Sequence, residues 1–90
     1  MGFEWDEAKR QSNLVKHRID FQRAQLLFAG RPTMTPPSPV TGEERSLTTG
    51  VLDGSFVTMI WTPRAGIIRI ISVRSARNAE KRAYRSVHGG

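Results

Sequence analysis

Three consecutive segments with period-two hydrophobic alternation fill most of the second half of the chain and constrain its fold most strongly. Two tight turns separate them, a strong hairpin signal at Asp53-Gly54 and a second turn at Pro63–Gly66. Connections this short join antiparallel neighbours, so we predict a meander whose second strand is central and packs against helices. The predicted strands are Arg45–Val51, Phe56–Thr62 and Ile67–Val73, and the central strand should bury Val57, Met59 and Trp61.

The first 30 residues predict one short strand and two helices. Asp6 is a suitable N-cap, and Asp20 stands at the start of a second run of apolar residues with helical spacing. Gly30 stops that run. The first helix carries Ala8, Gln11, Leu14 and Val15 on one side. The predicted elements are a strand at Phe3–Trp5, a helix from Glu7 to about His17, and a helix that begins at Asp20.

A proline-rich segment links the two halves, and a basic helix closes the chain. Arg31–Gly42 contains four prolines and four Thr or Ser residues, which predicts a loop or an irregular edge. Ala76–Ser86 predicts the closing helix. The order β-α-α-β-β-β-α gives an α+β fold with a twisted antiparallel sheet. We expect one domain over residues 1–90, with a frayed tail at 87–90.

Composition excludes several kinds of site. The chain has no cysteine and only two histidines, His17 and His88, so thiolate and histidine metal clusters are not expected. We predict no metal and no cofactor. The N-terminus is charged within its first residues, and no apolar run approaches the roughly 20 residues of a membrane span. These features predict a soluble cytoplasmic protein without a membrane partner.

The net charge of +6 is concentrated at one end of the chain. Residues 1–63 hold equal numbers of basic and acidic residues, whereas residues 64–85 hold seven basic residues against Glu80 alone. Such one-sided charge favours a polyanionic partner, either nucleic acid or an acidic protein. The alternative is a solvated face that keeps a small protein soluble.

Three segments, in order, resemble the BrnT family of toxins. They are FEWDEAKRQSNLVKHRIDFQRAQLLF, GEERSLTTG and TPRAGIIRIISVRSARNAEKRAY, about two-thirds of the chain. There are two departures. Arg18 follows the K-H pair where family members commonly have glycine, and TPPSPVT replaces a stretch in which many members carry an Asp and a His-Ser pair. A non-glycine residue in a left-handed cap costs on the order of 1 kcal/mol.

The resemblance implies a RelE-like fold and a toxin of a type II toxin–antitoxin system. The implied activity is a metal-independent endoribonuclease that inhibits translation by cleaving RNA. The implied partner is a BrnA-type DNA-binding antitoxin in a hetero-oligomer. The alternative is a catalytically silent BrnT-like module that binds an antitoxin or nucleic acid, which the missing His-Ser pair would favour.

Metal-free RNA cleavage needs a base for the 2′-hydroxyl proton, cations for the phosphate and often an acid for the leaving oxygen. Arg74 ends the last strand, whereas Arg64 precedes it and need not share the same phosphate. The expected catalytic residues are Arg74, Arg64, His17, Glu44 and Tyr84, and the expected RNA-binding residues are Lys9, Lys16, Arg45, Arg77 and Lys81.

Each of these residues has a structural alternative. His17 could be a favourable charge at a helix end, Glu44 part of a salt-bridged edge, and Tyr84 a packing residue. Arg69, in the middle of a strand, is expected to pair with Glu43 or Glu44. Arg74→Ala is expected to abolish toxicity and leave the fold intact.

Overall fold

A computed structural model describes residues 2–36 and 45–89 of the chain. Within these ranges, a five-stranded sheet is packed by helices, so the fold is α+β. Glu43 and Glu44 lie outside the described residues, as do residues 37–42 of the proline-rich segment. The strands are β1 (Gly2–Glu4), β2 (Thr33–Met34), β3 (Ser46–Leu52), β4 (Ser55–Arg64) and β5 (Ile67–Ser75). The helices are α1 (Glu7–His17), α2 (Phe21–Ala24), which continues as a 3₁₀ turn over Gln25–Phe28, and α3 (Asn78–His88).

The predicted meander is confirmed, and β4 is the central strand. The sheet order is β1-β5-β4-β3-β2, and β4 pairs antiparallel with both β3 and β5. Asp53 and Gly54 both have positive φ, as the two-residue hairpin turn requires. Val57 and Met59 are buried, and Trp61 is half-buried with its ring 5.6 Å from that of Phe28.

The expectation of an antiparallel sheet is wrong at one edge, because β1 pairs parallel with β5. The sheet is therefore mixed. β1 is free to take this direction because both helices of the first half separate it in sequence from the meander. A two-residue strand, β2, forms the other edge inside the proline-rich segment.

Side-chain caps and ion pairs define the helical region. The Asp6 side chain accepts from the backbone N–H groups of Ala8 and Lys9, so the predicted N-cap is confirmed. Arg18 ends α1 in the left-handed region at φ 58°, the geometry that glycine would favour. Asp20 caps α2 and also receives a bidentate pair from Arg10, with both N–O distances at 2.9 Å.

The two faces of the sheet differ in their covering. We call the inner face the one on which Val57 and Met59 pack with the α2 residues Phe21 and Ala24. We call the outer face the opposite one, where Thr58 contacts α3. α3 has no buried residue and extends to His88, so the expected frayed tail begins later than residue 87.

The side of α1 that carries Leu14 and Val15 is exposed, with 40% and 84% of their surfaces accessible. The buried residue of this helix is Asn13 instead. None of the described helices combines the length and apolar character that a membrane span requires.

Candidate nucleic-acid interface

A β-bulge in β5 places two arginines on the outer face. Ile60 pairs with Ser72 and Trp61 pairs with Ile70, so Ile71 has no partner on β4. The extra residue shifts the alternation by one position, which lets Ile70 and Val73 both reach the inner core. Arg69 and Arg74, which alternate with these core residues, therefore both point outward.

Arg74 is held by α3 through Glu80. The Arg74 guanidinium donates to both carboxylate oxygens of Glu80 at 2.9 Å, and only 17% of the Arg74 side-chain surface is exposed. Glu80 Oε1 also accepts from Thr58 Oγ1 at 2.9 Å and from the backbone N–H of Arg77 at 2.7 Å. Because the Thr58 hydroxyl donates to Glu80, the Thr49 hydroxyl donates to Thr58 across 2.8 Å. One carboxylate thus joins β5, β4 and the start of α3.

This network fixes the charge of Glu80. Its hydrogen bonds with the Arg74 side chain, the Arg77 N–H and the Thr58 hydroxyl lower the pKa of Glu80 to about 2, against the opposing effect of burial. The same bidentate contact raises the pKa of Arg74. The expectation that Arg74→Ala leaves the fold intact is therefore wrong in its reasoning, because the substitution would leave a half-buried carboxylate without its main partner.

Aromatic contacts complete the attachment of α3. The Tyr84 ring meets the Phe56 ring edge to face at 5.3 Å between centroids, and the Arg85 guanidinium lies 5.1 Å above Phe56. His88 reaches the backbone carbonyl of Thr33, with its Nε2 atom at 2.7 Å. Tyr84 thus packs α3 on the sheet, which was the alternative to its expected catalytic role.

The other end of the outer face carries a second group of charges. Arg69 and Arg64 both pair with Glu4 on β1, the latter at 3.7 Å. The described partner of Arg69 is therefore Glu4 rather than the expected Glu43 or Glu44. Arg64 lies six residues beyond Thr58 along β4, and Thr58 is the cross-strand partner of Arg74. The two ends of the face are thus about 20 Å apart.

Between these two ends, the outer face has positions that lie outside the described contacts of α3. The contacts of α3 with Thr33, Phe56 and Thr58 all fall near the hairpin end of the sheet. Ile60 and Thr62 share the outer side of β4 with Thr58 and are only half-buried. Arg77, Lys81 and Tyr84 lie on one side of α3 at i, i+4 and i+7 spacing.

His17 and the two α1 lysines lie beside the bulge in β5. Lys9, Lys16 and His17 line a small groove between α1 and the bulge in β5, together with Ser12, Asn13, Ile71 and Ser72. His17 also lines a larger groove that includes the inner-face residues Leu52 and Val57. The described residues of the expected catalytic set are thus not brought together. Arg74 and Tyr84 lie at one end of the outer face, Arg64 at the other, and His17 in the grooves beside α1.

Two of the expected site residues precede β3 in the sequence. Arg45 is exposed immediately before β3, and Glu44 is outside the described residues. No group of three metal-ligating side chains occurs in the described parts of the chain.

Asn13 is a residue that the sequence reasoning missed. Its Oδ1 accepts from the Val73 backbone N–H and the Ser72 hydroxyl, both at 3.1 Å, and its Nδ2 donates to the Ile19 carbonyl at 3.0 Å. The sequence shows only a polar residue inside a predicted helix, and this pattern does not reveal which groups the side chain bonds to.

Comparison with protein families adds an independent finding. A family model described as the ribonuclease toxin, BrnT, of type II toxin–antitoxin systems matches residues 5–80. A search of curated proteins finds no match. The matched range covers most of the chain and ends at Glu80, the residue that anchors α3 to the sheet.

Proposed function

Because this chain belongs to the BrnT family of ribonuclease toxins of type II toxin–antitoxin systems, we propose that the outer face of its sheet is the surface that binds and cleaves RNA. Cleavage there inhibits translation and requires no metal. The observation that carries the proposal is the shared face of Arg64, Arg69 and Arg74, with half-buried strand positions between them that lie outside the described contacts of α3.

The dimensions of this face suit a short single-stranded segment. About 20 Å separates its ends along β4, and cationic groups stand at both ends. Backbone contacts with Arg and Lys supply most of the affinity for nucleic acid, and unstacked RNA bases pack on exposed apolar and aromatic surface. Ile60 and Thr62 would provide the surface on which the bases pack.

We assign direct phosphate contacts to Arg77 and Lys81, for which no ion pair is described. Arg77 is exposed at the start of α3 and Lys81 lies one turn later, whereas both terminal nitrogens of Arg74 already bind Glu80. Arg74 then acts by holding α3 in place. Tyr84, on the same side of α3, is the proposed proton donor, Glu44 is a proposed base, and Arg64 and Arg45 bind the RNA further along.

His17, Lys9 and Lys16 form a separate proposed contact beside the bulge in β5. Their groove would hold a segment of RNA that passes around α1. Neither Arg74 nor Tyr84 lines this groove.

Membership in a type II toxin–antitoxin family implies an antitoxin partner. We propose a BrnA-type antitoxin in a cytoplasmic hetero-oligomer, with an acidic segment covering much of residues 64–85. That cover would neutralise the basic groups and block the RNA surface together.

A pair of adjacent substitutions tests the RNA surface. Lys81 is half-buried on the side of α3 that faces the sheet, whereas Arg82 is exposed. With a chelator present, we expect Lys81→Ala to slow RNA cleavage tenfold or more and Arg82→Ala to change it less than twofold. Equal and small effects would show that the charges act only as a diffuse field.

The second candidate is a binding module that does not cleave RNA. Among the described residues, the outer-face carboxylates Glu4 and Glu80 are both paired with arginines, so neither is a free base. RNA that is bound but stays intact, with Lys81→Ala weakening the binding, would establish this candidate instead.

A further inference from the structure

We propose that Asn13 is a positioning residue for RNA cleavage, acting through the β5 bulge on Arg74 and α3. The inference rests on the outer-face function proposed above. Asn13 makes no described contact with the charged side chains of the outer face, since its hydrogen bonds go to Ser72, Val73 and Ile19. Its effect on the reaction is therefore transmitted through the backbone of β5.

Asn13 satisfies three polar groups that nothing else in its surroundings is described as satisfying. Only 6% of its surface is exposed, and its amide uses the oxygen for two donors and the nitrogen for the Ile19 carbonyl. An asparagine amide supplies both an acceptor and a donor, which alanine lacks altogether and aspartate supplies only in part. The requirement is thus specific to the amide.

The Asn13 side-chain amide bonds to β5 beyond the point where β1 stops pairing with that strand. β1 pairs with β5 only as far as Arg69, and the strand continues past it to Ser75. The Val73 N–H points away from β4 into α1, where Asn13 Oδ1 accepts it. A buried backbone donor without an acceptor destabilises the folded state. Asn13 therefore stabilises this edge of β5 in its bulged form.

The bulged form determines the direction of Arg74. In an unbulged strand, Ile70 and Val73 would face opposite sides, so with Ile70 in the core Val73 would point outward and Arg74 inward. Arg74 in turn holds Glu80, and Glu80 holds the N-terminus of α3. A continuous chain of contacts thus runs from Asn13 to the helix that carries Arg77, Lys81 and Tyr84.

A purely structural role for Asn13 predicts a different outcome. Loss of stability alone would lower activity only in proportion to the unfolded fraction. A positioning role lowers the turnover of fully folded protein, because a displacement of about 1 Å in a catalytic group can cost about a hundredfold in rate. Substrate affinity would change little, since Asn13 is almost fully buried and bonds to none of the charged side chains proposed to bind RNA.

The test compares Asn13→Ala, Asn13→Asp and Ser72→Ala in the full chain, at a temperature where unfolding curves show each variant folded. Ser72→Ala is the matched control, because it removes one bond to Asn13 Oδ1 and keeps the bond from Val73. We expect Asn13→Ala to lower kcat for RNA cleavage tenfold to a hundredfold with KM changed less than threefold. We expect Asn13→Asp to recover part of that loss. The kcat of Ser72→Ala should stay within threefold of that of the protein without substitutions.

Nuclear magnetic resonance supplies a readout independent of activity. Asn13→Ala should speed hydrogen exchange at the Val73 amide and shift the Arg74 Nε–H signal, and Ser72→Ala should do neither. Unchanged signals in Asn13→Ala overturn the inference. Normal kcat in folded Asn13→Ala, while Lys81→Ala is impaired, overturns it and leaves the proposed function standing. Shifted signals with normal cleavage in both variants refute the outer face as the RNA site, and the role of Asn13 in cleavage with it.

Discussion

Replacing Arg74 by alanine should destabilise the protein substantially. Removing one partner of a fully buried ion pair costs about 3–5 kcal/mol, because the remaining charge stays desolvated and unpaired. Arg74 and Glu80 each keep 17% of their side-chain exposure, so solvent screening reduces the cost to roughly 2–3 kcal/mol. For a domain of this size, that is a fall in Tm of about 10–20 °C.

Urea and thermal unfolding, followed by circular dichroism and tryptophan fluorescence, measure this loss directly. The single variants Arg74→Ala and Glu80→Ala and their double variant form a cycle whose coupling should exceed about 1 kcal/mol. Arg82→Ala, on the exposed side of the same helix, is the control and should stay within about 0.5 kcal/mol. A loss below about 0.5 kcal/mol in Arg74→Ala, or a coupling near zero, would refute the anchoring role.

Further predictions concern the pH dependence of stability and two backbone positions. The pKa of Glu80 is lowered from 4.5 to about 2, so its stabilisation is complete above about pH 4.5 and is lost as the pH falls towards 2. Urea titrations should show that Glu80→Gln flattens the pH dependence, and an unchanged slope would contradict this. Arg18→Gly should raise the free energy of unfolding by about 1 kcal/mol, because Arg18 has a φ of 58°, and no gain would argue against strain there. Gly50→Ala should cost about 1–2 kcal/mol, because the new Cβ would lie 2.8 Å from a methyl group of buried Leu27, and a neutral effect would mean that Leu27 repacks.

The features that the sequence predicted correctly are those set by residues close together in the chain. The Asp6 cap and the Asp53-Gly54 hairpin each arise from local backbone and side-chain preferences. The central place of β4 followed from two short turns. The family was predicted from three segments, and the match over residues 5–80 confirms it.

The site was less accessible to this reasoning. Arg74 was expected to bind phosphate freely, because the sequence shows only that it ends a strand and does not indicate a partner. Its partner Glu80 comes six residues later, on a helix whose crossing of the sheet no local pattern specifies. His17 was grouped with Arg74 by its residue type and by the family resemblance, whereas it lines grooves beside α1 that do not include Arg74.

The sequence by itself determined the local turns, the caps, the order of elements and the concentration of positive charge after residue 63. The tertiary structure alone decided which way that charge points. Side-chain direction along β5 depends on the bulge at Ile71, and the bulge depends on pairing with β4 and on Asn13 from a helix about 60 residues earlier. A strand pattern read in isolation assumes unbroken alternation, so it cannot tell that Arg69 and Arg74, five residues apart, share one face.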